Sequence, residues 1–166
     1  MEFIMDLVPK TCFFAGHRII AGSERNMIKS LVNEEILNKI NDKVEIFISG
    51  GARGFDTIAA EQVIFMRKDY DSIRLCLYLP CRNHDLKWKL SERYRLQKIM
   101  EQADEIYYVT DGEYEEGCMK KRNIAMVEAS DCGIAYMKNR MSGSAQTIKF
   151  ADEKGINVIN IADKKY

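Results

Sequence analysis

Apolar residues fall into six short runs rich in β-branched and aromatic side chains, separated by longer segments in which apolar residues recur at helical spacing. The runs predict β-strands at 11–15, 44–49, 73–79, 105–109, 133–137 and 156–161. The intervening segments predict five helices, at 23–40, 57–68, 89–102, 119–129 and 142–154. The first helix shows the spacing clearly, because Ile28, Leu31, Val32 and Ile36 recur every three or four residues. Strand and helix therefore alternate along the chain.

This alternation, with short loops, is typical of a parallel sheet with helices on both faces. We predict an α/β fold in one domain, residues 1–166: a three-layer, Rossmann-like arrangement around a mostly parallel six-stranded sheet. In such sheets, ligands bind at the carboxyl ends of the strands, where the strand order reverses. The loops that follow the strands are the expected location of a site.

The composition limits the partners. The 25 basic and 25 acidic residues balance, so no global field attracts nucleic acid or an acidic membrane, and anion binding requires a local cluster. The first residues include Glu2 and Asp6 and lack the basic and apolar regions of a leader, and no later run has the length of a membrane span. We expect a cytoplasmic protein without a membrane partner.

The cysteines suggest neither a disulfide framework nor a metal. Their number, five, is odd, and Cys12 and Cys76 lie in predicted strands, where a thiol acts as a small buried apolar group. Cys81, His84 and Cys118 do not have the spacing of structural zinc ligands. We expect no metal and no cofactor.

The stretch 49–56, SGGARGFD, joins the second predicted strand to a helix. A strand that ends in glycines and restarts as a helix presents free backbone N–H groups, which suit a phosphate. We therefore predict ligand contacts from Ser49, Gly50, Gly51, Arg53 and Asp56. For Arg53 the alternative is an exposed surface arginine, and for Asp56 it is an N-cap.

A second loop of similar chemistry lies at 142–144, where Ser142, Gly143 and Ser144 open the last helix. Two such loops at one sheet edge favour a phosphate site over two simple helix caps. The same edge holds further candidate ligand contacts after the first and third strands, at Gly16, His17, Arg18 and Asn83. For His17 and Arg18 the alternative is an exposed surface pair.

Several motifs together resemble one known family. They are TCFFAGHR at 11–18, SGGARGFD at 49–56 followed by AAE, LPC at 79–81, AD at 103–104, GC at 117–118, KRN at 121–123, MV at 126–127 and SD at 130–131. Over residues 11–161 the chain resembles the YpsA-like (YoqJ-type) family of the SLOG superfamily. That superfamily includes the DNA-processing protein DprA/Smf and the Lonely Guy phosphoribohydrolases.

The resemblance implies a Rossmann-like fold and a nucleotide-related ligand at the two glycine-rich loops, with Arg122 of the KRN motif among the residues that line the site. It also points to a homodimer, since relatives in the superfamily often dimerise. Two departures stand out. Ala60 occupies the usual histidine position of DprA, and the catalytic glutamate of Lonely Guy enzymes falls here on Thr147 or Phe150.

Three functions follow as hypotheses. The first is binding or sensing of a small nucleotide derivative, such as ADP-ribose or an NAD-related molecule. The second is cleavage of an N-glycosidic bond by a phosphoribohydrolase-like enzyme, with Asp56 or Glu61 as the candidate catalytic carboxylate. The third is DprA-like binding of single-stranded DNA. We rank binding first, because no carboxylate occupies the Lonely Guy position.

Overall fold

Strands and helices alternate throughout residues 8–139 and 141–164, the part of the chain that the computed structural model describes. The strands are β1 (Lys10–Gly16), β2 (Val44–Ser49), β3 (Arg74–Leu79), β4 (Glu105–Tyr108), β5 (Cys132–Tyr136) and β6 (Asn157–Asn160). The helices are α1 (Arg25–Asn41), α2 (Phe55–Arg67), α3 (Leu90–Gln102), α4 (Cys118–Glu128) and α5 (Gly143–Glu153). Every predicted element is present, and no end differs by more than two residues. Within the described ranges, no helix combines the length and the apolar character needed to cross a membrane.

The six strands form one sheet in the order β4-β3-β2-β1-β5-β6, and each neighbouring pair is parallel. The predicted Rossmann-like α/β fold is confirmed. The chain moves outward from β1 to β4, then crosses to the other side of β1 to form β5 and β6. The strand order therefore reverses between β1 and β5, where Gly16 pairs with Tyr136 at the carboxyl ends.

Alternate side chains of β1 point to opposite faces of the sheet and enter two different apolar layers. Phe14 packs in a cluster with Ile28 of α1, Ile58 of α2 and Ile99 of α3. Phe13 points to the other face and packs in a cluster with residues of α4 and α5, among them Met126, Val127 and Ala151. Helices α1 to α3 therefore cover one face of the sheet, and α4 and α5 cover the other.

Two helix starts differ from the prediction by two residues. Helix α1 begins at Arg25, because the chain first makes a 3-10 turn over Gly22–Glu24. Helix α2 begins at Phe55, and its N-cap is Gly54 with φ 74°. A Cβ at Gly54 would lie 2.5 Å from the carbonyl oxygens of His17 and Arg18, so only glycine fits this close approach. Asp56 is not the N-cap and lies inside the first turn of α2.

Candidate functional site

A cleft of about 590 Å³ opens where the strand order reverses, beside the carboxyl ends of β1 and β5. Its walls come from the loop after β1, the start of α2, one side of α4 and the first turn of α5. Its volume is in the range of small-molecule sites, roughly 300–1,000 Å³. The cleft therefore has both the position and the size expected of a ligand site in this fold.

Eight of the predicted site residues line this cleft: Gly16, His17, Arg18, Asp56, Arg122, Ser142, Gly143 and Ser144. They come from four separate segments of the chain. The structure thus brings the loop after β1 together with the second glycine-containing loop, as expected for loops at the same edge of a parallel sheet. Their role as ligand contacts stays a prediction.

The first turn of α5 forms one wall of the cleft. The N-cap Ser142 accepts a hydrogen bond on its Oγ from the Ala145 N–H at 3.2 Å, and its Oγ lies 3.3 Å from the Ser144 Oγ. Like the first residues of any α-helix, Gly143 and Ser144 have backbone N–H groups without an intrahelical acceptor. A Cβ at Gly143 would meet no atom within 4 Å, so this backbone is open to a ligand.

Two buried side chains of opposite charge, Arg122 and Asp56, lie at the floor of the cleft. The Arg122 side chain is 3% exposed, and its Nη1 donates to the Gly50 carbonyl oxygen, while its Nε donates to Asn123 Oδ1 at 2.8 Å. Asp56 is equally buried, and its Oδ2 accepts the Ala52 N–H at 3.3 Å. A Cβ at Gly50 would lie 2.7 Å from Arg122 Nη1 and 2.8 Å from Asp56 Oδ2, so both charged groups close around this glycine.

Burial raises the pKa of Asp56 to about 6, although the nearby charges of Arg122 and Arg18 and the Ala52 N–H act in the opposite direction. Burial also lowers the pKa of Arg122, and Asp56 partly offsets that effect. The carboxyl group therefore exchanges its proton close to neutral pH inside the cleft. Such tuned groups are typical of functional sites.

His17 connects three loops at the rim. Its carbonyl oxygen accepts the Phe55 N–H at 3.0 Å, and its own N–H donates to the Tyr136 carbonyl at 3.2 Å. Its Nε2 accepts the backbone N–H of Lys138 at 2.7 Å, which requires a ring without a proton on Nε2. Burial lowers the pKa of His17, helped by the charge of Lys138 and opposed by that of Glu24. His17 thus holds the loop after β5 in place as a neutral side chain.

We expect this contact to open as the pH falls. Because the folded pKa of His17 lies below its ordinary value of 6.5, its contribution to stability is complete above that value and is lost as the pH falls through the folded pKa. The Lys138 amide resonance should titrate with the His17 ring in NMR spectra. In His17→Gln, whose side-chain oxygen accepts the same N–H without titrating, that transition should disappear; a Lys138 shift that persists would contradict the contact.

The structure does not bring the other predicted residues to the cleft surface. Ser49, Gly50 and Gly51 are buried, and their polar groups bond within the protein: Ser49 Oγ to the Asp56 carbonyl, the Gly50 carbonyl to Arg122 and the Gly51 carbonyl to His84. The loop 49–56 therefore positions Arg122 and Asp56 from behind. As ligand contacts, these three residues stay untested predictions.

Arg53, Asn83 and Glu61 line three other depressions. Arg53 turns toward Trp88 and lies 3.8 Å from Glu92. Asn83 lines a pocket beside α3, beyond β2 in the strand order. The Glu61 carboxylate lies 3.5 Å from Arg95 in the groove between α2 and α3. Of the two candidate catalytic carboxylates, Asp56 lines the cleft, whereas Glu61 lines the groove between α2 and α3.

Sequence reasoning missed three polar residues that line the cleft: Asn123, Asn139 and Thr147. For two of them the sequence contains a feature that could have identified them. Asn123 follows Arg122 in the KRN motif, and Thr147 lies one helical turn after Gly143, to whose carbonyl its Oγ1 donates at 3.2 Å. Asn139 had none, because its position depends on the path of the loop after β5.

The family model of the YspA SLOG family (YpsA) matches residues 21–158. The chain belongs to the YpsA family of SLOG proteins. A UPF0398 protein of Bacillus cereus (strain B4264) is 29% identical to this YpsA-family chain over 130 residues, covering 77% of the chain and 71% of the relative. The uncharacterised SPbeta prophage-derived protein YoqJ of Bacillus subtilis (strain 168) is 28% identical over 131 residues, covering 72% of the chain and 75% of the relative. The resemblance seen in the sequence motifs is confirmed.

Two solved structures share the fold. DNA processing protein A from Helicobacter pylori, studied for its single-stranded DNA binding mode, superposes with a TM-score of 0.64 at 21% identity over 90% of this chain. DprA from Streptococcus pneumoniae gives a TM-score of 0.63 at 16% identity, again over 90% of this chain. The chain spans 64% and 49% of these two proteins, respectively. The likeness shows a common fold for the YpsA-family chain and part of DprA.

Proposed function

We propose that the chain binds or senses a nucleotide or nucleotide-derived ligand, such as ADP-ribose or an NAD-related molecule, in the cleft between β1 and β5. The observation that carries this proposal is the convergence of Arg18, Arg122 and the first turn of α5 on one cleft of about 590 Å³. A guanidinium group and a helix N-terminus both favour an anion, and a phosphate suits both.

Each wall has a distinct task. The N–H groups of Gly143 and Ser144, with the Ser144 hydroxyl, hold a phosphate at the start of α5. The exposed rim residue Arg18 reaches the same group from the opposite wall. Asp56, buried in the first turn of α2, accepts a ribose hydroxyl rather than facing the phosphate, because two anions in contact repel. The ligand thereby spans the cleft from α5 to α2.

A second candidate function is cleavage of an N-glycosidic bond. It is favoured by Asp56, whose pKa of about 6 suits a group that gives and takes a proton near neutral pH. Chromatography of the bound ligand decides between the two. A binding protein returns it intact, whereas an enzyme releases the free base, and Asp56→Asn abolishes that release.

Single-stranded DNA is the third candidate, and the fold shared with DNA processing protein A supports it. Electrophoretic retention of an oligonucleotide at physiological salt would favour DNA. Retention that is lost between low and physiological salt reflects only nonspecific attraction to phosphates.

Gly143→Leu tests the binding site. The new side chain enters space that no protein atom occupies within 4 Å of the Cβ, at the predicted phosphate position. We expect ADP-ribose or AMP at 100 times Kd to raise the Tm of the unmodified chain by roughly 5–11 °C. In Gly143→Leu that shift should fall by at least half, with affinity reduced about tenfold or more.

Gly22→Leu is the matched control, since a Cβ at Gly22 also meets nothing within 4 Å and Gly22 does not line the cleft. It should keep the full ligand-induced shift. The proposed site is wrong if both variants bind equally well, and nucleotide binding itself is wrong if none of AMP, ADP-ribose and NAD shifts the Tm of the unmodified chain.

A further inference from the structure

A second, smaller pocket adjoins the cleft. It has a volume of about 270 Å³ and lies between the loop after β1, the start of α1, the loop before α2 and the start of α3. Its basic lining residues, which define what we call the arginine pocket, are Arg18, Arg25, Arg53, Lys89 and Arg95. A pocket below the range of whole small-molecule sites, roughly 300–1,000 Å³, suits one group of a ligand.

The positive charge of the arginine pocket exceeds its acidic compensation. Arg53 lies 3.8 Å from Glu92, and Arg95 lies 3.5 Å from Glu61, and each of these side chains is more than a third exposed. Such loose, exposed pairs contribute little. Among residues 8–139 and 141–164, no ion pair within 4.0 Å involves Arg25.

The same holds for Arg18, for which the described ranges contain no such pair. Burial and then repulsion from Arg95 lower the pKa of Arg25, and the charges of Glu61 and Glu92 oppose this shift. Five basic side chains therefore share a small pocket with Glu92 as its acidic lining residue. An anion would relieve this repulsion.

Glu92 and Trp88 add features that suit a sugar phosphate. Glu92 Oε2 is buried and accepts no hydrogen bond within the described ranges, so it can accept one from a sugar hydroxyl. Trp88 forms an apolar wall, with the Arg53 guanidinium 5.9 Å from the centre of its ring. Cations, an acceptor and a flat apolar surface are thus present together.

The two sites are continuous. Arg18 and Ile19 line both the cleft and the arginine pocket. The backbone of residues 17–18 packs against Gly54, which also lines the arginine pocket. A ligand in the cleft can therefore extend past Arg18 into the arginine pocket.

We propose that the arginine pocket is a second phosphate subsite, and that the ligand of the cleft is a nucleotide with two separated phosphate groups, such as a nucleoside 3′,5′-bisphosphate. This inference rests on the proposed function of the cleft. A terminal phosphate carries a charge of about −1.5 to −2 at neutral pH, and guanidinium groups bind it in a bidentate manner. Several arginines around one small space match such a dianion better than a singly charged phosphodiester.

Calorimetric titration of the full chain with AMP and with adenosine 3′,5′-bisphosphate tests this subsite. We expect the bisphosphate to bind the unmodified chain at least about tenfold more tightly than AMP. In Arg25→Gln and Arg95→Gln this preference should fall below about threefold, with the affinity for AMP unchanged. Arg93→Gln is the control, because Arg93 lies on the same helix as Arg95 but does not line the arginine pocket.

The outcomes separate the two proposals. If AMP binds in the cleft and the second phosphate adds no affinity, or if its gain survives in both variants, the subsite is overturned and the cleft stands. If neither compound binds, the subsite is overturned, and the proposal for the cleft is decided separately by ADP-ribose and NAD. If a single-stranded oligonucleotide binds more tightly than the bisphosphate and depends on Arg25, the pocket belongs to a nucleic-acid surface and the bisphosphate is overturned.

Discussion

Arg122→Met is expected to lower the free energy of unfolding by about 1.5–3 kcal/mol near neutral pH, the range for a hydrogen bond made by a charged group. The physical reason is that this hydrogen bond is buried. Arg122 is 3% exposed and donates to the Gly50 carbonyl, so methionine would leave a buried carbonyl oxygen without its donor. Urea-induced unfolding measures the change.

The control is Arg93→Met, which removes a partly exposed arginine 3.5 Å from Asp85 and should cost less than about 1 kcal/mol. In the double variant Arg122→Met/Asp56→Asn, part of the loss should be recovered, because Asp56→Asn removes a charge that burial disfavours. A cost for Arg122→Met no greater than that of Arg93→Met would contradict the role given to Arg122 at the floor of the cleft.

Asp56→Asn should have the opposite effect and stabilise the unliganded protein by about 1–3 kcal/mol near neutral pH. The folded pKa of Asp56 is about 6 and its ordinary value is 3.8, a difference worth about 3 kcal/mol at most. The attraction of Arg122 is already included in that folded pKa. Asparagine can still accept the Ala52 N–H, so the main change is the removal of a buried charge.

The sign of the pH dependence follows from the raised pKa. Between the two pKa values the folded state binds more protons than the unfolded state, so stability falls as the pH rises through this window. The gain from Asp56→Asn should therefore be full above the folded pKa and nearly absent near pH 4. If Asp56→Asn instead destabilised the protein equally near pH 4 and above the folded pKa, the main role of Asp56 would be to accept hydrogen bonds that stabilise the fold.

Asp104→Asn provides a contrast for Asp56. Asp104 precedes β4 at the opposite edge of the sheet, where it pairs with Arg67 at 2.7 Å and accepts the Leu75 N–H at 2.8 Å. Its replacement should destabilise the protein near neutral pH by about 0.5–1.5 kcal/mol. Opposite effects of the two variants would mean that the Asp104 carboxylate stabilises the fold, whereas the Asp56 carboxylate lowers the stability of the fold. A carboxylate that lowers stability and lies in a cleft is typical of a functional group.

The fold could be predicted because local pattern determines most of it. The run Val44–Ser49 matches β2 at both ends, since β-branched and aromatic residues stop there at glycine. Helix starts were less accurate, because they depend on tertiary contacts. Helix α2 begins at Phe55, whose N–H donates to the His17 carbonyl, a contact that no local pattern shows.

Part of the site was predicted correctly from the sheet edge. Distance across the sheet and the conformation of one turn explain why other predicted residues do not line the cleft. All loops after strands share one edge, but neighbouring strands lie about 4.8 Å apart, so Asn83 after β3 starts roughly 14 Å from β5. The positive φ of Gly54 and the packing of Arg53 toward Trp88 take Arg53 into the arginine pocket. Neither the strand order nor that turn follows from hydrophobic spacing alone.

A titration of the ¹⁵N-labelled chain with ADP-ribose, followed by NMR, tests the central claim most directly. We predict saturable shifts of the amides of His17, Arg18, Asn123, Gly143 and Ser144, which lie around the cleft on three segments of the chain. The same titration should produce little change in Gly143→Leu. Saturable shifts confined to amides outside the cleft, or no shifts at all, would contradict the claim that this cleft is a nucleotide site.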